Sequence, residues 1–185
     1  MKIRIDVVKS IFILTFICFF VAGALALVNS CTREKIENDA KDRAYDARSK
    51  IIPGVPGFDR IDIEGKGLPE SITEVYKATN DAGYVFTISV KGFGRENMKL
   101  LCGVSMDGKI IESNRTHLVI SHTETPSYFN RVFTDQHLGN FWNSDKNEIE
   151  RIDAISGATV SSDALKRAML YALTAFELIR GDLHE

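Results

Sequence analysis

Apolar residues are unevenly distributed along the chain, and the longest run of them lies near the N-terminus. No charged residue occurs from Ser10 to Thr32, a stretch of 23 residues. As a helix this stretch spans about 34 Å, enough to cross a hydrocarbon core about 30 Å thick. The pattern therefore predicts a single transmembrane anchor in residues 1–31. With no charge inside it, this anchor cannot form an ion path by itself.

Basic residues precede the apolar run and predict its orientation. Lys2, Arg4 and Lys9 stand against the single acidic residue Asp6. Since positive charge favours the cytoplasmic side, we expect a cytoplasmic N-terminus in the plasma (inner) membrane. The rest of the chain is then extracytoplasmic, or periplasmic.

Two other interpretations of the apolar run stay open. A cleaved signal peptide has a similar basic start, and residues 22–26 offer small residues for cleavage, but its apolar region is usually only about 7 to 15 residues long. Lipoprotein processing at Cys31 is a second alternative. It is disfavoured because Asn29 occupies a position where a small residue is expected.

Helical spacing continues beyond the anchor. Thr32 is a suitable N-cap, and apolar residues recur at helical spacing as far as Ile51. The segment 53–57 contains two prolines and two glycines, which end any regular element. We therefore expect a juxtamembrane helix and linker in residues 32–57, followed by one domain in residues 58–185.

The middle of the chain has the alternation and turn residues of an antiparallel sheet. Residues 72–79 and 84–91 read as a β-hairpin joined at 80–83. Residues 100–106 and 109–120 read as a second pair, joined by Asp107-Gly108 in a two-residue type I′ turn. A four-stranded meander results. The glycines of Lys91-Gly92-Phe93-Gly94 indicate a bend or a close approach between the hairpins.

The C-terminal third predicts mainly helix. Residues 122–130 look like a loop around Pro126, residues 129–143 a short helix and residues 149–152 a short strand. A longer helix is expected from Ser161 or Ser162 to Gly181. Its apolar face comprises Ala164, Leu165, Ala168, Met169, Ala172, Leu173, Phe176 and Ile179. The fold class is thus α+β, an antiparallel sheet with a C-terminal helix.

Composition and charge narrow the functional classes. With 23 basic and 25 acidic residues the net charge is −2, which argues against a nucleic-acid-binding protein. Hydrophobic residues make up 44% of the chain, which excludes a mainly disordered one. The three cysteines and four histidines are scattered, so we expect neither a disulfide framework nor a metal site. No spacing supports a catalytic set of residues.

The chemically informative stretch is 153–159, D-A-I-S-G-A-T, directly before the last helix. Gly157 suits a tight turn, and Ser156, Thr159 and Ser161 place hydroxyl groups at a helix N-terminus. Such a terminus binds anions, because its first N–H groups have no partner within the helix. The hydroxyl groups could equally serve only as helix caps. The residues alone leave both interpretations open.

The stretch 153–162, D-A-I-S-G-A-T-V-S-S, resembles the flavinylation motif of the FMN-binding domain family. The resemblance implies that Thr159 carries FMN through a phosphoester bond. It also implies a separate flavin transferase that recognises Asp153 and uses FAD as donor. Further flavin-binding positions implied by the resemblance are Ser156, Gly157, Ala158, Val160, Ser161, Glu124, Thr125 and Tyr128.

The wider pattern is similar to the G-subunit family of Rnf ion-translocating electron transport complexes. Segments 83–86, 91–94, 107–110 and 122–126 occur in the order typical of that family, after a single anchor. The resemblance implies an electron-relay subunit, the redox subunit of a Na⁺- or H⁺-translocating ferredoxin:NAD oxidoreductase, with no complete activity expected from this chain alone. Its partners would be other membrane, iron–sulfur and flavin subunits. Alternatives are a stand-alone anchored flavoprotein that feeds another extracytoplasmic reductase, or a flavin-free tethered binding or scaffold domain.

One loop departs from that family. Its members commonly continue the E-T-P sequence with Gly-Leu-Gly, whereas this chain has Ser127-Tyr128-Phe129. One hypothesis is that Tyr128 or Phe129 stacks on the isoalloxazine ring. The alternative is that both aromatic residues are packed in the core.

Overall fold

The computed structural model describes the backbone of residues 2–121 and 126–182, in two units, residues 1–44 and 45–185. The first helix, α1, runs from Lys2 to Ile51. Within it, the 22 residues Lys9–Ser30 have a mean hydropathy of 2.8 and are long and apolar enough to cross a membrane. The predicted new helix start at Thr32 is wrong. The Thr32 hydroxyl donates to the Val28 carbonyl oxygen at 2.6 Å inside α1.

A five-stranded antiparallel sheet forms the centre of the second unit, in the order β1-β2-β3-β4-β5. Its strands are β1 (Phe58–Ile61), β2 (Ile72–Ala78), β3 (Gly83–Lys91), β4 (Asn97–Ser105) and β5 (Val119–Ser121). The first three predicted strands are confirmed as β2, β3 and β4. Strand β1 has too few residues to show an alternating pattern, and sequence reasoning missed it.

The predicted fourth strand, 109–120, is wrong. Ile110 forms an isolated bridge with Val104, and of the described residues in this range only Val119 and Ile120 belong to a strand, β5. The Asn114 side chain accepts from the His117 backbone N–H at 3.1 Å and starts a short helix, α2 (Arg115–Leu118), before β5. Local capping by a polar side chain thus competes with sheet pairing.

The turn at Asp107-Gly108 also differs from the predicted type I′, which needs a positive φ at both residues. Of the two, only Gly108 has a positive φ, 75°. The Ser105 N–H donates to the Lys109 carbonyl oxygen at 2.9 Å, and the Gly108 N–H donates to the Ser105 carbonyl oxygen at 3.0 Å. These bonds close a three-residue loop with glycine in the left-handed position.

Three short helices follow β5, and they correct the predictions for residues 122–152. They are α3 (Pro126–Val132), α4 (Asp135–Leu138) and α5 (Lys146–Glu150). The predicted loop is helical from Pro126 onward, and residues 122–125 lie outside the described part. The predicted strand 149–152 is wrong because Asp145 and Glu148 form a capping box that starts α5.

The last helix, α6 (Thr159–Asp182), packs on one face of the sheet. Every residue of its predicted apolar face is at most 3% exposed, so that prediction is confirmed. From the sheet, Tyr84, Phe86, Leu100 and Val104 join it in the main core. The helix begins two residues before Ser161, which places Thr159 at its first position.

A second, smaller core lies on the opposite face of the sheet. Ile51, Ile52 and Val55 pack there against Val85 and Leu101, all at most 6% exposed. The guanidinium of Arg48 stacks 3.9 Å from the ring centroid of Tyr76 on the same unit. The end of α1 is therefore part of the domain fold.

Gly103 on β4 makes this second core possible. A Cβ atom at Gly103 would lie 2.6 Å from Cγ2 of Ile51 and 3.1 Å from Cβ of Ile111. We expect Gly103→Ala to lower the free energy of unfolding by about 1–3 kcal/mol through overpacking. Urea unfolding of the full chain in detergent, followed by circular dichroism, measures this. Gly57→Ala is the control, because its Cβ would meet Thr79 at an ordinary 3.4 Å.

His137 on α4 makes the stability dependent on pH. The residue is 8% exposed, and its ring lies 5.4 Å from that of Phe141. Burial lowers the pKa of His137 below its ordinary value of 6.5. Below pH 6.5 the unfolded chain binds a proton that the folded chain does not, so stability falls until the pH reaches the lowered pKa.

We therefore expect His137→Leu to flatten the fall of the unfolding free energy between pH 7 and pH 5. Urea titrations at several pH values measure the slope. The half-buried His117 provides the control variant, His117→Leu, and an equal flattening there would contradict the assignment to His137.

Candidate functional site

The motif 153–159 forms a tight turn at the start of α6. The Ala158 N–H donates to the Ile155 carbonyl oxygen at 3.0 Å, and Gly157 has a φ of 76°. This left-handed position at the third residue of a turn favours glycine. The first helical bond follows at once, from the Ser162 N–H to the Ala158 carbonyl oxygen at 3.0 Å. The first N–H groups of α6 therefore point out of its N-terminal end rather than to a carbonyl oxygen within the helix.

The Ser162 hydroxyl holds the turn against the helix. It accepts from the Ile155 N–H at 3.0 Å and lies 3.1 Å from the Ala158 carbonyl oxygen, to which it donates. Ser162 is 2% exposed. Its role is thus structural, and it fixes the backbone that carries Thr159.

The segment before the motif is also held in place. The Lys166 ammonium group donates to the carbonyl oxygens of Glu150 at 2.7 Å and Ile152 at 2.9 Å. These bonds join α6 to the end of α5. The exposed Asp153 follows directly, at the edge of the site rather than in it.

Thr159 is exposed at the first position of α6. Among the described residues, its hydroxyl makes one long contact, 3.5 Å, with the Ile155 carbonyl oxygen. A secondary hydroxyl group that is exposed and weakly bonded can be modified without breaking the fold. The turn thereby separates a modifiable hydroxyl, Thr159, from a structural one, Ser162.

A shallow cavity of about 210 Å³ lies beside Thr159. It is lined by Phe93, Gly157, Ala158, Thr159, Val160 and Ser161. The predicted positions from 157 to 161 thus come together. Ser156 is exposed but does not line the cavity, and Ser161 is fully buried beneath it.

Phe93 is a lining residue that sequence reasoning missed. It lies between β3 and β4 and is 54% exposed. Its loop is tied down, because Arg167 Nη2 donates to the Lys91 carbonyl oxygen at 3.1 Å and Lys91 Nζ donates to that of Arg95 at 2.5 Å. A single aromatic residue between two glycines is the signal that could have found it.

Arg131 is a second missed residue, and its guanidinium lies against the turn. A Cβ atom at Gly157 would lie 2.6 Å from Arg131 Nη1. Gly157 thus meets two demands, a positive φ and space for the guanidinium. No sequence signal relates position 131 to position 157.

The stacking hypothesis for Phe129 is wrong. Phe129 is 5% exposed, its ring centroid lies 4.6 Å from that of Phe133, and the guanidinium of Arg115 lies 4.2 Å from it. Phe129 is a core residue. The Tyr128 side chain and all of Glu124 and Thr125 lie outside the described residues, so those assignments stay predictions.

Cys102 is structural, as its isolation in the sequence predicts. It is 2% exposed, and its Sγ lies 3.3 Å from Met169 Sδ. Burial raises the pKa of this thiol, which keeps it protonated and unreactive. Among the described residues, no cluster of His, Cys, Asp and Glu could hold a metal ion.

Comparison with known proteins gives one domain family and several related subunits. Residues 92–174 match the model of the FMN-binding domain family. The G subunit of an ion-translocating oxidoreductase complex from Methanosarcina acetivorans is 26% identical, over 89% of this chain and 91% of its own length. The G subunit of the Na⁺-translocating ferredoxin:NAD⁺ oxidoreductase complex from Acetobacterium woodii is 28% identical, over 95% and 96%.

A third relative is the G subunit of the proton-translocating ferredoxin:NAD⁺ oxidoreductase complex from Clostridium ljungdahlii. It is 28% identical over 57% of this chain and 59% of its own length. No solved structure matches the chain. Residues 92–174, which include the cavity and the Thr159 turn, thus resemble the FMN-binding domain, within a chain that is similar over most of its length to the G subunits of ion-translocating oxidoreductase complexes.

Proposed function

We propose that this chain is the electron-relay subunit of a membrane-bound, ion-translocating ferredoxin:NAD oxidoreductase complex of the Rnf type, with FMN covalently bound to Thr159. Two observations support the proposal: its relatives are redox-complex subunits by name, and residues 92–174 match the model of the FMN-binding domain. One observation supports Thr159 as the attachment site. That residue is the exposed, weakly bonded hydroxyl in a turn that Gly157 and Ser162 hold rigid.

Attachment of FMN to Thr159 is a group transfer for which the turn is suited. Oγ1 of Thr159 bonds to the FMN phosphorus of FAD, the phosphoanhydride bond breaks, AMP leaves and the hydroxyl proton is released. A separate flavin transferase catalyses the step. The exposed Asp153, at the edge of the site, is available for recognition by that enzyme.

The bound FMN supplies electron transfer, and the chain supplies its position and electrostatic surroundings. The N-terminus of α6 stabilises the remaining negative charge of the phosphodiester. Phe93 and Val160, 54% and 51% exposed, offer apolar surface beside the attachment point. A planar ring packs well against such surface.

The size of the cavity bears on electron exchange. At about 210 Å³ it is smaller than typical ligand pockets of roughly 300–1,000 Å³. It can therefore enclose only part of the flavin and leaves the remainder accessible to a partner subunit. Such partial exposure favours transfer between subunits over chemistry on an enclosed substrate.

The apolar helix Lys9–Ser30 supports a membrane-anchored subunit. With the N-terminus in the cytoplasm, the unit Tyr45–Glu185 forms an extracytoplasmic domain beside other Rnf subunits. Covalent attachment suits that location, because a cofactor lost outside the cytoplasm is not readily replaced. The whole activity belongs to the complex rather than to this chain.

Substitution of Thr159 tests the attachment site. The full chain, co-produced with a flavin transferase, should gain the mass of one FMN and fluoresce in a denaturing gel. Thr159→Ala should abolish both signals. Thr159→Ser keeps a hydroxyl and should retain part of the label.

Thr73→Ala is the matched control, since Thr73 is an exposed threonine of β2, outside the motif. It should be labelled like wild type. Label that persists in folded Thr159→Ala would place the attachment elsewhere. A folded wild-type chain without label would instead favour a flavin-free tethered domain.

Phe93 provides a test of the flavin position. An indole in contact with a flavin quenches its fluorescence by electron transfer, so Phe93→Trp should lower the yield of the covalent flavin several-fold. Leu178→Trp, at a 40% exposed position near the end of α6, is the control and should leave the yield unchanged. Equal fluorescence yields in the two labelled variants would show that residue 93 does not contact the flavin.

A further inference from the structure

Arg131 brings a positive charge to the turn that carries Thr159. Its Nη1 atom lies 2.6 Å from the position that a Cβ atom of residue 157 would take, which is too close for both atoms to fit. The residue is exposed and lies in the last turn of α3. Within the described part of the chain, Arg131 has no carboxylate partner.

The backbone of Arg131 is fixed although its side chain is exposed. Its neighbours Phe129, Val132 and Phe133 are at most 5% exposed and belong to the main core. Helix α3 also contacts α6. Since both helices pack on one core, the backbone of Arg131 is held close to α6.

The geometry points to Arg131 as the cation that binds the phosphodiester when Thr159 carries FMN. This inference rests on the proposed function. A guanidinium can donate two parallel hydrogen bonds to phosphate oxygens, which a lysine ammonium group cannot do in the same plane. The first N–H groups of α6 could donate to the same phosphate. Arginine and helix terminus together then enclose the single negative charge.

If Arg131 binds the phosphodiester, the stabilisation by FMN attached to Thr159 should depend on the charge at position 131. We compare four full-length chains in detergent, each produced with and without the transferase: wild type, Arg131→Gln, Arg131→Lys and Arg60→Gln. Arg60 is the control, an exposed arginine of β1 that pairs with Glu74 at 4.0 Å. Urea unfolding followed by circular dichroism gives the factor by which attached FMN changes the unfolding equilibrium.

At low salt, we expect the factor by which FMN shifts the unfolding equilibrium to be about two- to fivefold smaller in Arg131→Gln than in wild type. This is the range of a partly exposed charge pair. Arg131→Lys should lose less, and Arg60→Gln nothing. The difference should shrink near 1 M salt, where the Debye length is only about 3 Å.

Three results would overturn the inference. Equal stabilisation by FMN in wild type and Arg131→Gln would remove Arg131 from the phosphate and leave the proposed function intact. An equal loss with and without FMN, or a flavin-free Arg131→Gln chain that does not fold, would assign Arg131 a structural role. Absence of FMN from the wild-type chain, seen by intact mass, would overturn both proposals.

Discussion

The burial of one face of α6 against the sheet is the interaction on which the site depends. Ala164, Leu165, Ala168 and Met169 are fully buried there. Burial of one Leu or Met side chain contributes about 1.5–3 kcal/mol, so this face fixes the axis and rotation of the helix. Thr159 is the first residue of the same helix, and its direction follows from that rotation. The proposed attachment point is therefore held as rigidly as the core.

The turn before α6 makes one of two nearby hydroxyl groups accessible and buries the other. Ser162 uses its hydroxyl for bonds to Ile155 and Ala158, and burial removes it from solvent. Thr159, three residues earlier, points to solvent with only a long contact. Two hydroxyl groups of similar reactivity thus differ in accessibility, because one serves the fold and the other remains available.

The sequence pattern predicted the helices and strands whose apolar residues repeat over many positions. It missed the short helices that depend on local hydrogen bonds from polar side chains. The face of α6 and strands β2–β4 repeat their apolar pattern over many residues, so period alone identifies them. Helices α2 and α5 depend instead on single capping side chains, Asn114 and Asp145. Of the site, residues 157–161 came from one continuous motif. Phe93 and Arg131 joined it only through tertiary packing, which no local pattern encodes.

The second core has a consequence for how the domain can be separated from its anchor. Ile51, Ile52 and Val55 cover Val85 and Leu101 on the sheet face away from α6. A soluble version that begins at residue 58 would uncover this apolar face and invite self-association. One that begins ahead of Tyr45 retains the cover, together with the hydrogen bond from the Tyr45 hydroxyl to the Val55 carbonyl oxygen at 3.2 Å. The end of the first helix and the segment after it are thus a part of the domain that must stay attached when the anchor is removed.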